Sequence, residues 1–505
     1  MHSHVRTRRR AVGLTAVVLA ALAGGTLLNA SAAIGAPDDY GNIDPDAPAS
    51  ITIHKHEYQT ASPAPEGAPD GSVGVTSDPI AGVVFTAYPI LGIDLSESRD
   101  WDELASLTPG PGVCAAPAGY QLGTGIVGAP TAADGTAKID VPVGAFLVCE
   151  TDAPASVVER AQPFIVTAPL PYQDGWLYGI HVYPKNGTAG ITKTIEAQEG
   201  LGLGSSIRFP VTTDVPVLGE EKLISYVVSD TLDPRLSPDP DAGSGSGVAS
   251  VRVEGGAAVD PSYFDVVVDG QSVRVVFTAA GLTWLEGQDG IRLVTTFQGV
   301  ITSVGDGAIT NEALLFINDP DLEKPTGVSP TVTSYWGDAR ILKTDDADAK
   351  NPLAGAIFEV YAATAPYATD CSAAVATGAA LSVGGTTRFT STAAGVVSIA
   401  GLFVSDSVNT PVSATQRCYV IREVQAPSGF VTPVGPAADT GIRITVGTTA
   451  TGTYQAEIRN AQQNVPNLPL TGANGQLAMT IAGGALVLIA VGAVLVSRRR
   501  ARTTL

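Results

Sequence analysis

Tyr419-Val420-Ile421-Arg422-Glu423-Val424-Gln425-Ala426-Pro427 repeats, in altered form, a stretch far upstream, Phe146-Leu147-Val148-Cys149-Glu150-Thr151-Asp152-Ala153-Pro154. In each, a run of strand-forming residues leads through a glutamate to an Ala-Pro pair, and the proline cannot continue a sheet ladder. A second matched pair precedes these: Ile80-Ala81-Gly82-Val83-Val84-Phe85-Thr86-Ala87-Tyr88 and Leu353-Ala354-Gly355-Ala356-Ile357-Phe358-Glu359-Val360-Tyr361. Blocks matched in the same order mark two copies of one fold, separated by a diverged or unrelated insert.

The texture around the repeats is all-β. Short runs rich in Val, Ile, Thr and aromatics, such as Ser50 to His54, Ser272 to Phe277 and Gly441 to Val446, are separated by Gly, Pro, Asp and Ser, the alternation expected of strands and turns. No stretch between the two chain ends sustains helical periodicity. About 430 residues remain once the ends are set aside, too many for one core, so tandem β-sandwiches are expected. We place the divisions at 1–36, 37–188, 189–335, 336–466 and 467–505.

Three polar residues recur at corresponding places in the two copies. Each copy opens with a lysine in a strand, Lys55 in Thr52-Ile53-His54-Lys55 and Lys343 in Arg340-Ile341-Leu342-Lys343. Each has its glutamate, Glu150 or Glu423, and closes with an asparagine, Asn186 or Asn460, 36 and 37 residues later. The chain holds only eight lysines, and Lys55, Lys185, Lys193 and Lys343 all fall at strand ends or domain starts. Ordinary boundary lysines are one reading. The other is chemical: burial drives lysine toward its neutral, nucleophilic form and glutamate toward its protonated form. A neutral lysine beside an asparagine carboxamide polarised by an acid can expel ammonia and leave an amide cross-link, with proximity and desolvation supplying the activation.

The ends of the chain set its route. Arg6, Arg8, Arg9 and Arg10 precede an apolar stretch from Ala11 to Leu28 and small residues ending in Ala30-Ser31-Ala32 or Gly35-Ala36. That is the three-part layout of a secretory signal peptide over 1–36, with an uncleaved anchor as the alternative. At the other end an uncharged run from Leu477 to Val496 is followed by Arg498, Arg499, Arg500 and Arg502. The run is long enough to cross a bilayer as a transmembrane helix, and the arginines hold its far end in the cytoplasm.

Just before that run, Leu468-Pro469-Leu470-Thr471-Gly472 resembles the LPxTG sorting signal of Gram-positive surface proteins. The resemblance implies that a sortase cysteine attacks between Thr471 and Gly472, keeps the threonyl acyl group and passes it to an amine. Together with Tyr419 to Pro427, which is similar to the E-box of that family, the chain resembles a sortase-assembled shaft pilin of Gram-positive actinobacteria. The implied fold is a row of immunoglobulin-like, collagen-adhesin B-type β-sandwiches carrying internal isopeptide bonds. By that resemblance Lys343 is linked to Asn460 with Glu423 as the acid, and Lys55 to Asn186 with Glu150. The ending Val182-Tyr183-Pro184-Lys185-Asn186 resembles the pilin motif, which makes Lys185 the acceptor for the incoming threonine. A bond at Asn186 could then depend on prior use of Lys185. The insert departs from the E-box pattern. There Lys193 in Ile191-Thr192-Lys193-Thr194 and Asp230 are assigned by position and partial motif, and Asn318 is preferred as the partner, with Asn311 a competitor that strand alternation does not decide against.

The implied function is a structural shaft subunit of a covalent fimbria that supports adhesion and has no turnover of its own. Its implied partners are a pilus-specific sortase, other copies of itself, a tip pilin, peptidoglycan at the base and a host receptor of unknown identity. Expected localisation is the cell surface, with the C-terminal helix only a transient membrane anchor. A monomeric wall-anchored adhesin shares the sorting signal and is the alternative. A surface enzyme would need a Ser/His/Asp, Cys/His or metal set, and the sequence offers none.

Composition narrows the rest. The net charge is −20, and removal of the two arginine-bearing ends, eight arginines with no acid, takes it to −28. A surface so acidic repels nucleic acid. Four cysteines in an exported chain suggest two disulfides out of three possible pairings, and Cys114 with Cys149 and Cys371 with Cys418 each fall within one expected domain. His54, His56 and His181 read as strand residues rather than a metal or acid-base set. Gly200-Leu201-Gly202-Leu203-Gly204 lacks the strand-to-helix context of a phosphate loop and reads as a turn. Asp239-Pro240-Asp241 lacks the oxygen spacing of a known calcium loop and reads as a solvated loop. No cofactor is expected.

Overall fold

Alternation in the Ala49–His54 strand decides how the first repeat packs: Ala49, Ile51 and Ile53 turn inward, while Ser50, Thr52 and His54 are partly exposed, as a period of two requires. The computed structural model describes residues 42–58, 67–110, 112–288, 290–462 and 473–501. The leader at 1–36 and the pentapeptide Leu468 to Gly472 lie outside the described residues.

In the first repeat Ala49–His54 is the centre of a three-stranded sheet, parallel to Gly179–Val182 and antiparallel to Thr136–Val141. A second sheet holds Val84–Leu91, Gly144–Asp152 and Phe164–Ala168. Ile51, Ile53, Phe85, Ile139, Phe146 and Val148 form one core cluster drawn from both sheets. Leu147 and Cys149 pack in a separate cluster with Leu104 of the Ser98–Ser106 helix, so the Gly144–Asp152 strand is covered on both faces. That explains its unbroken apolar run, which a half-buried strand would not have.

The last repeat follows the same plan. Val332–Asp345 pairs with Val396–Asp406 and, in parallel, with Ala456–Asn460, while Ile357–Ala363, Gln416–Gln425 and Asp439–Thr445 form the second sheet. The correspondence extends to register. Asn186 lies opposite Glu57, two residues beyond Lys55, and Asn460 lies opposite Asp345, two residues beyond Lys343. Glu150 lies opposite Phe85 and Glu423 opposite Phe358, each directly after a register shift.

Between the repeats two sheets enclose a core that includes Phe209, Tyr226, Val275, Phe297 and Leu315. One contains Ile191–Lys193, Ser206–Asp214 and Arg292–Ile301; the other contains Ser272–Phe277, Tyr226–Thr231 and Ala313–Ile317. One 14-residue strand, Val332–Asp345, runs without interruption through position 335/336. Its first residues pair with Ala308–Asn311, its later ones belong to the last repeat, and Trp336 is buried in the middle core.

The glycine-rich segment 200–204 does turn, with Ser205 N donating to the Gly202 carbonyl at 3.1 Å, and the turn also serves as a joint. Leu201 and Leu203 pack against both the middle and the last core, and a Cβ at Gly202 would come within 2.1 Å of the Ser382 carbonyl oxygen. Only glycine lets the two backbones approach that closely. The stretch Asp239-Pro240-Asp241 is a loop exposed at Pro240 and Asp241, but Asp239 is buried and accepts hydrogen bonds from Ser206 Oγ at 2.6 Å and Gln298 Nε2 at 2.5 Å. Two short helices were not legible in the sequence. Ser98–Ser106 and Ala279–Glu286 have 9 and 8 residues, too few turns for a periodic signal, although Thr278 caps the second by accepting from Gly281 N.

At the C-terminus Ala473–Ala501 is a single helix. Its 25-residue segment Gln476–Arg500 rises about 37 Å at 1.5 Å per residue, enough to cross a hydrocarbon core of about 30 Å.

Candidate functional site

Three buried clusters each bring a lysine, an acid and an asparagine together. In the first repeat Lys55 and Asn186 are fully buried. The Lys55 ammonium donates to Asn186 Oδ1 and stands 3.3 Å from Glu150 Oε2. Asn186 Nδ2 donates to Glu150 Oε1 at 3.0 Å, and the Phe85 ring lies 5.7 Å from the Lys55 nitrogen. Burial pulls the Lys55 pKa down to about 8, against the opposing pull of Glu150. A lysine so shifted is partly neutral near physiological pH.

In the last repeat Asn460 Nδ2 donates to Glu423 Oε1 at 2.7 Å. Lys343, fully buried on the neighbouring parallel strand, donates to the Ile458 carbonyl at 3.2 Å. Burial raises the Glu423 pKa and lowers that of Lys343, in each case against the attraction of the other. Both shifts favour neutral forms, a nucleophilic amine beside a protonated acid.

The middle cluster corrects one assignment. Lys193 is paired with Asp230, and the asparagine that reaches the same carboxylate oxygen is Asn311, whose Nδ2 donates to Asp230 Oδ2 at 3.2 Å. Asn318 is elsewhere. It follows the Ala313–Ile317 strand with φ of 56°, accepts from Ile224 N at 2.9 Å and donates to the Lys222 carbonyl at 3.1 Å, so its amide is committed to fastening an exposed loop. Phe209 and Phe297 place their rings 5.1 and 5.8 Å from the Lys193 nitrogen. Desolvation raises the Asp230 pKa and lowers that of Lys193. The Asp230 Oδ1 and Asn311 Oδ1 atoms have no hydrogen-bond partner. Unsatisfied buried polar atoms are costly in a finished fold and mark a cluster arranged for something else.

This geometry makes a selective prediction. Asn311→Ala should raise the intact mass, relative to its own sequence mass, by the loss of one cross-link of about 17 Da, whereas Asn318→Ala should leave that deficit in place. The reverse pattern in intact mass spectrometry would restore Asn318.

Lys185 and Asn186 are neighbours in the Lys185–Thr188 strand and therefore point to opposite faces of it. Asn186 enters the buried cluster and Lys185 is half-buried on the other side, opposite His56. Thr471 and Gly472 lie outside the described residues. Cys114 is bonded to Cys149 and Cys371 to Cys418. All three described histidines lie in strands, and His54 stacks on His181 and Tyr183. Among the described residues no group of three or more His, Cys, Asp or Glu is arranged to hold a metal. The aromatic rings beside Lys55 and Lys193 were missed by sequence reasoning.

Cross-linkable clusters in a row of sandwiches, ending in a wall-sorting helix, define a class of extracellular fibre protein, and comparison with known proteins identifies which. Residues 46–187 match the N-terminal domain D1 of Gram-positive pilin subunits, and residues 460–501 match the LPXTG cell wall anchor motif. The chain is 41% identical over 507 residues to fimbrial subunit type 2 of Actinomyces naeslundii, covering 92% of each chain. It is 30% identical over 553 residues to fimbrial subunit type 1 of Actinomyces viscosus, covering 99% of each. Among solved structures it is similar to the full-length major pilin SpaD of Corynebacterium diphtheriae, with 26% identity, a TM-score of 0.65, and coverage of 84% of this chain and 100% of that one. The chain belongs to the Actinomyces fimbrial subunit family. It is a sortase-assembled major pilin, a shaft subunit of a surface fimbria anchored to the cell wall.

Proposed function

We propose that the shaft grows when a pilus-specific sortase joins the Thr471 carbonyl of one subunit to the Lys185 ε-amine of the next. The observation that carries this reading is the division of labour within one strand: Asn186 is committed to the buried cluster, and Lys185, on the opposite face, is left for an intermolecular bond. Donor and acceptor on different parts of one chain give a heterologous, non-closing contact, so repetition yields a fibre. A tip pilin at one end and peptidoglycan at the other complete the assembly. The subunit itself turns over no substrate.

Within each subunit the pairs Lys55 with Asn186, Lys193 with Asn311 and Lys343 with Asn460 form amides, one in each of the domains 37–188, 189–335 and 336–466. The neutral lysine nitrogen attacks the asparagine Cγ, a C–N bond forms, and the original Cγ–N bond breaks to release ammonia. The acid serves as the proton relay. Glu150 is 3.3 Å from the nucleophile and 3.0 Å from the departing nitrogen, placed to take a proton from one and give it to the other.

The test is a digest of wall-released polymer. A branched peptide should appear in which Thr471 is acylated onto Lys185. Wall extracts with one discrete band and no high-mass ladder would instead support a monomeric wall-anchored adhesin.

A further inference from the structure

The two repeats carry a valine at the same distance past their glutamates, and in the first repeat that valine packs against the neighbouring domain. Val158 follows Glu150 by eight residues, and Val431 follows Glu423 by eight. Val158 packs against the core of the middle region. Around it Ala189 N donates to the Ser156 carbonyl at 3.0 Å, and the buried Glu159 carboxylate accepts from Gly219 N at 2.5 Å and Glu220 N at 3.0 Å. The segment after the Ala-Pro pair is thus how the first repeat grips the domain that follows it.

The last repeat differs at this place. Its equivalent segment, Ser428 to Ala438, leaves Val431 58% and Val434 82% exposed. They flank Thr432 and Pro433, beside a cleft of about 450 Å³ that is also lined by Glu423. Pro433 and Pro436 stiffen the loop, so its apolar tip is presented with little conformational entropy left to lose on contact. Val434 is the most exposed large hydrophobic side chain among the described residues.

We infer that this Val431/Val434 tip is the non-covalent docking surface for the next copy of this chain in the shaft. The inference rests on the head-to-tail reading above and specifies the contact that reading leaves open. Chain length fixes the occupant. Thr471 lies nine residues beyond Gln462, a reach of at most about 32 Å when fully extended. The end of the last repeat is therefore held within that distance of Lys185 in the neighbouring copy, whichever way the tail runs. The surface that the first repeat covers with its own middle region, the last repeat covers with its neighbour.

The experiment uses the full chain expressed in a host that carries its sortase. Val431→Asp/Val434→Asp should reduce the high-mass ladder roughly tenfold, the factor that corresponds to 1.4 kcal/mol. Secreted subunit level, the melting temperature of the soluble region and its cross-link mass deficit should stay unchanged, because both side chains are exposed. In parallel, a benzophenone amino acid at 431 should photo-cross-link to a second copy, at peptides within about 32 Å of Lys185. An undiminished ladder in the double variant, or photo-cross-links only to sortase or within one subunit, would overturn the docking surface. A ladder that persists in Lys185→Ala would instead overturn the head-to-tail reading, so the two failures are distinguishable.

Discussion

Replacing Lys185 by arginine should abolish the high-mass ladder and leave single subunits attached to the wall. Arginine keeps the charge and approximate length of the side chain, but its guanidinium stays protonated at every physiological pH and cannot attack a thioester. The substitution therefore separates acceptor chemistry from surface charge. Lys138 and Lys222 provide the comparison. Their side chains are 61% and 76% exposed, whereas Lys185 is half-buried, so mere accessibility would favour them. Ladders should be normal in Lys138→Ala and Lys222→Ala. A normal ladder in Lys185→Arg would remove Lys185 from the assembly.

The second large effect concerns Glu423. Glu423→Gln preserves the size of the side chain and a hydrogen bond to Asn460, yet removes the titratable proton that the relay requires. The last repeat should lose its cross-link, and the intact mass should exceed that expected for the bonded form by about 17 Da. Stability should fall as well. Lys343 and Asn460 are 117 residues apart, and closing a loop of that length restricts the unfolded chain by about 5 kcal/mol on the chain-entropy estimate for covalent closures. For a domain of this size that corresponds to a drop of about 20 °C in the melting transition of the last repeat. Lys343→Met, which removes the nucleophile and keeps an unbranched side chain, should show the same mass change. A full mass deficit in Glu423→Gln would refute the acid role.

Much of this was legible because the repeat carried it. Matched blocks at Ile80 and Leu353, and at Phe146 and Tyr419, gave two sandwiches whose lysine, glutamate and asparagine could be aligned without any structure, and the structure places them at equivalent register. The middle region had no such internal reference. The sequence favours Asn318 over Asn311 on a partial motif in which Asn311 to Asn318 reads as one strand. The chain instead breaks at Glu312: Ala308–Asn311 joins the strand that begins at Val332, while Ala313–Ile317 joins Tyr226–Thr231 in another sheet. A parity argument along one strand fails when the residues belong to two. The division placed at 335/336 falls within a continuous strand. Gly337 interrupts the pattern at a register shift in the pairing with Val396–Asp406, but the strand continues through it. The turn at 200–204 is legible, but the approach of Gly202 to Ser382, 180 residues away, is not, because no local pattern announces a long-range contact.

The uninterrupted strand Val332–Asp345 has a mechanical consequence. With Lys193 bonded to Asn311 and Lys343 to Asn460, a pull between Lys185 and Thr471 bypasses 194–310 and 344–459 altogether, and the first repeat stands outside the load. The force must cross from Asn311 to Lys343 along the main chain. Between Asn311 and Val332 the chain makes a twenty-residue excursion that would add up to about 70 Å if drawn straight. It is closed by four residue pairs, from Asn311 opposite Val332 to Ala308 opposite Tyr335. Tension arrives at Asn311 and leaves beyond Tyr335, at opposite ends of that short ladder. Its rungs are therefore loaded together in shear rather than opened one after another, and drawing the excursion straight must also strip Ala313–Ile317 from Tyr226–Thr231 and from Gly327–Val328.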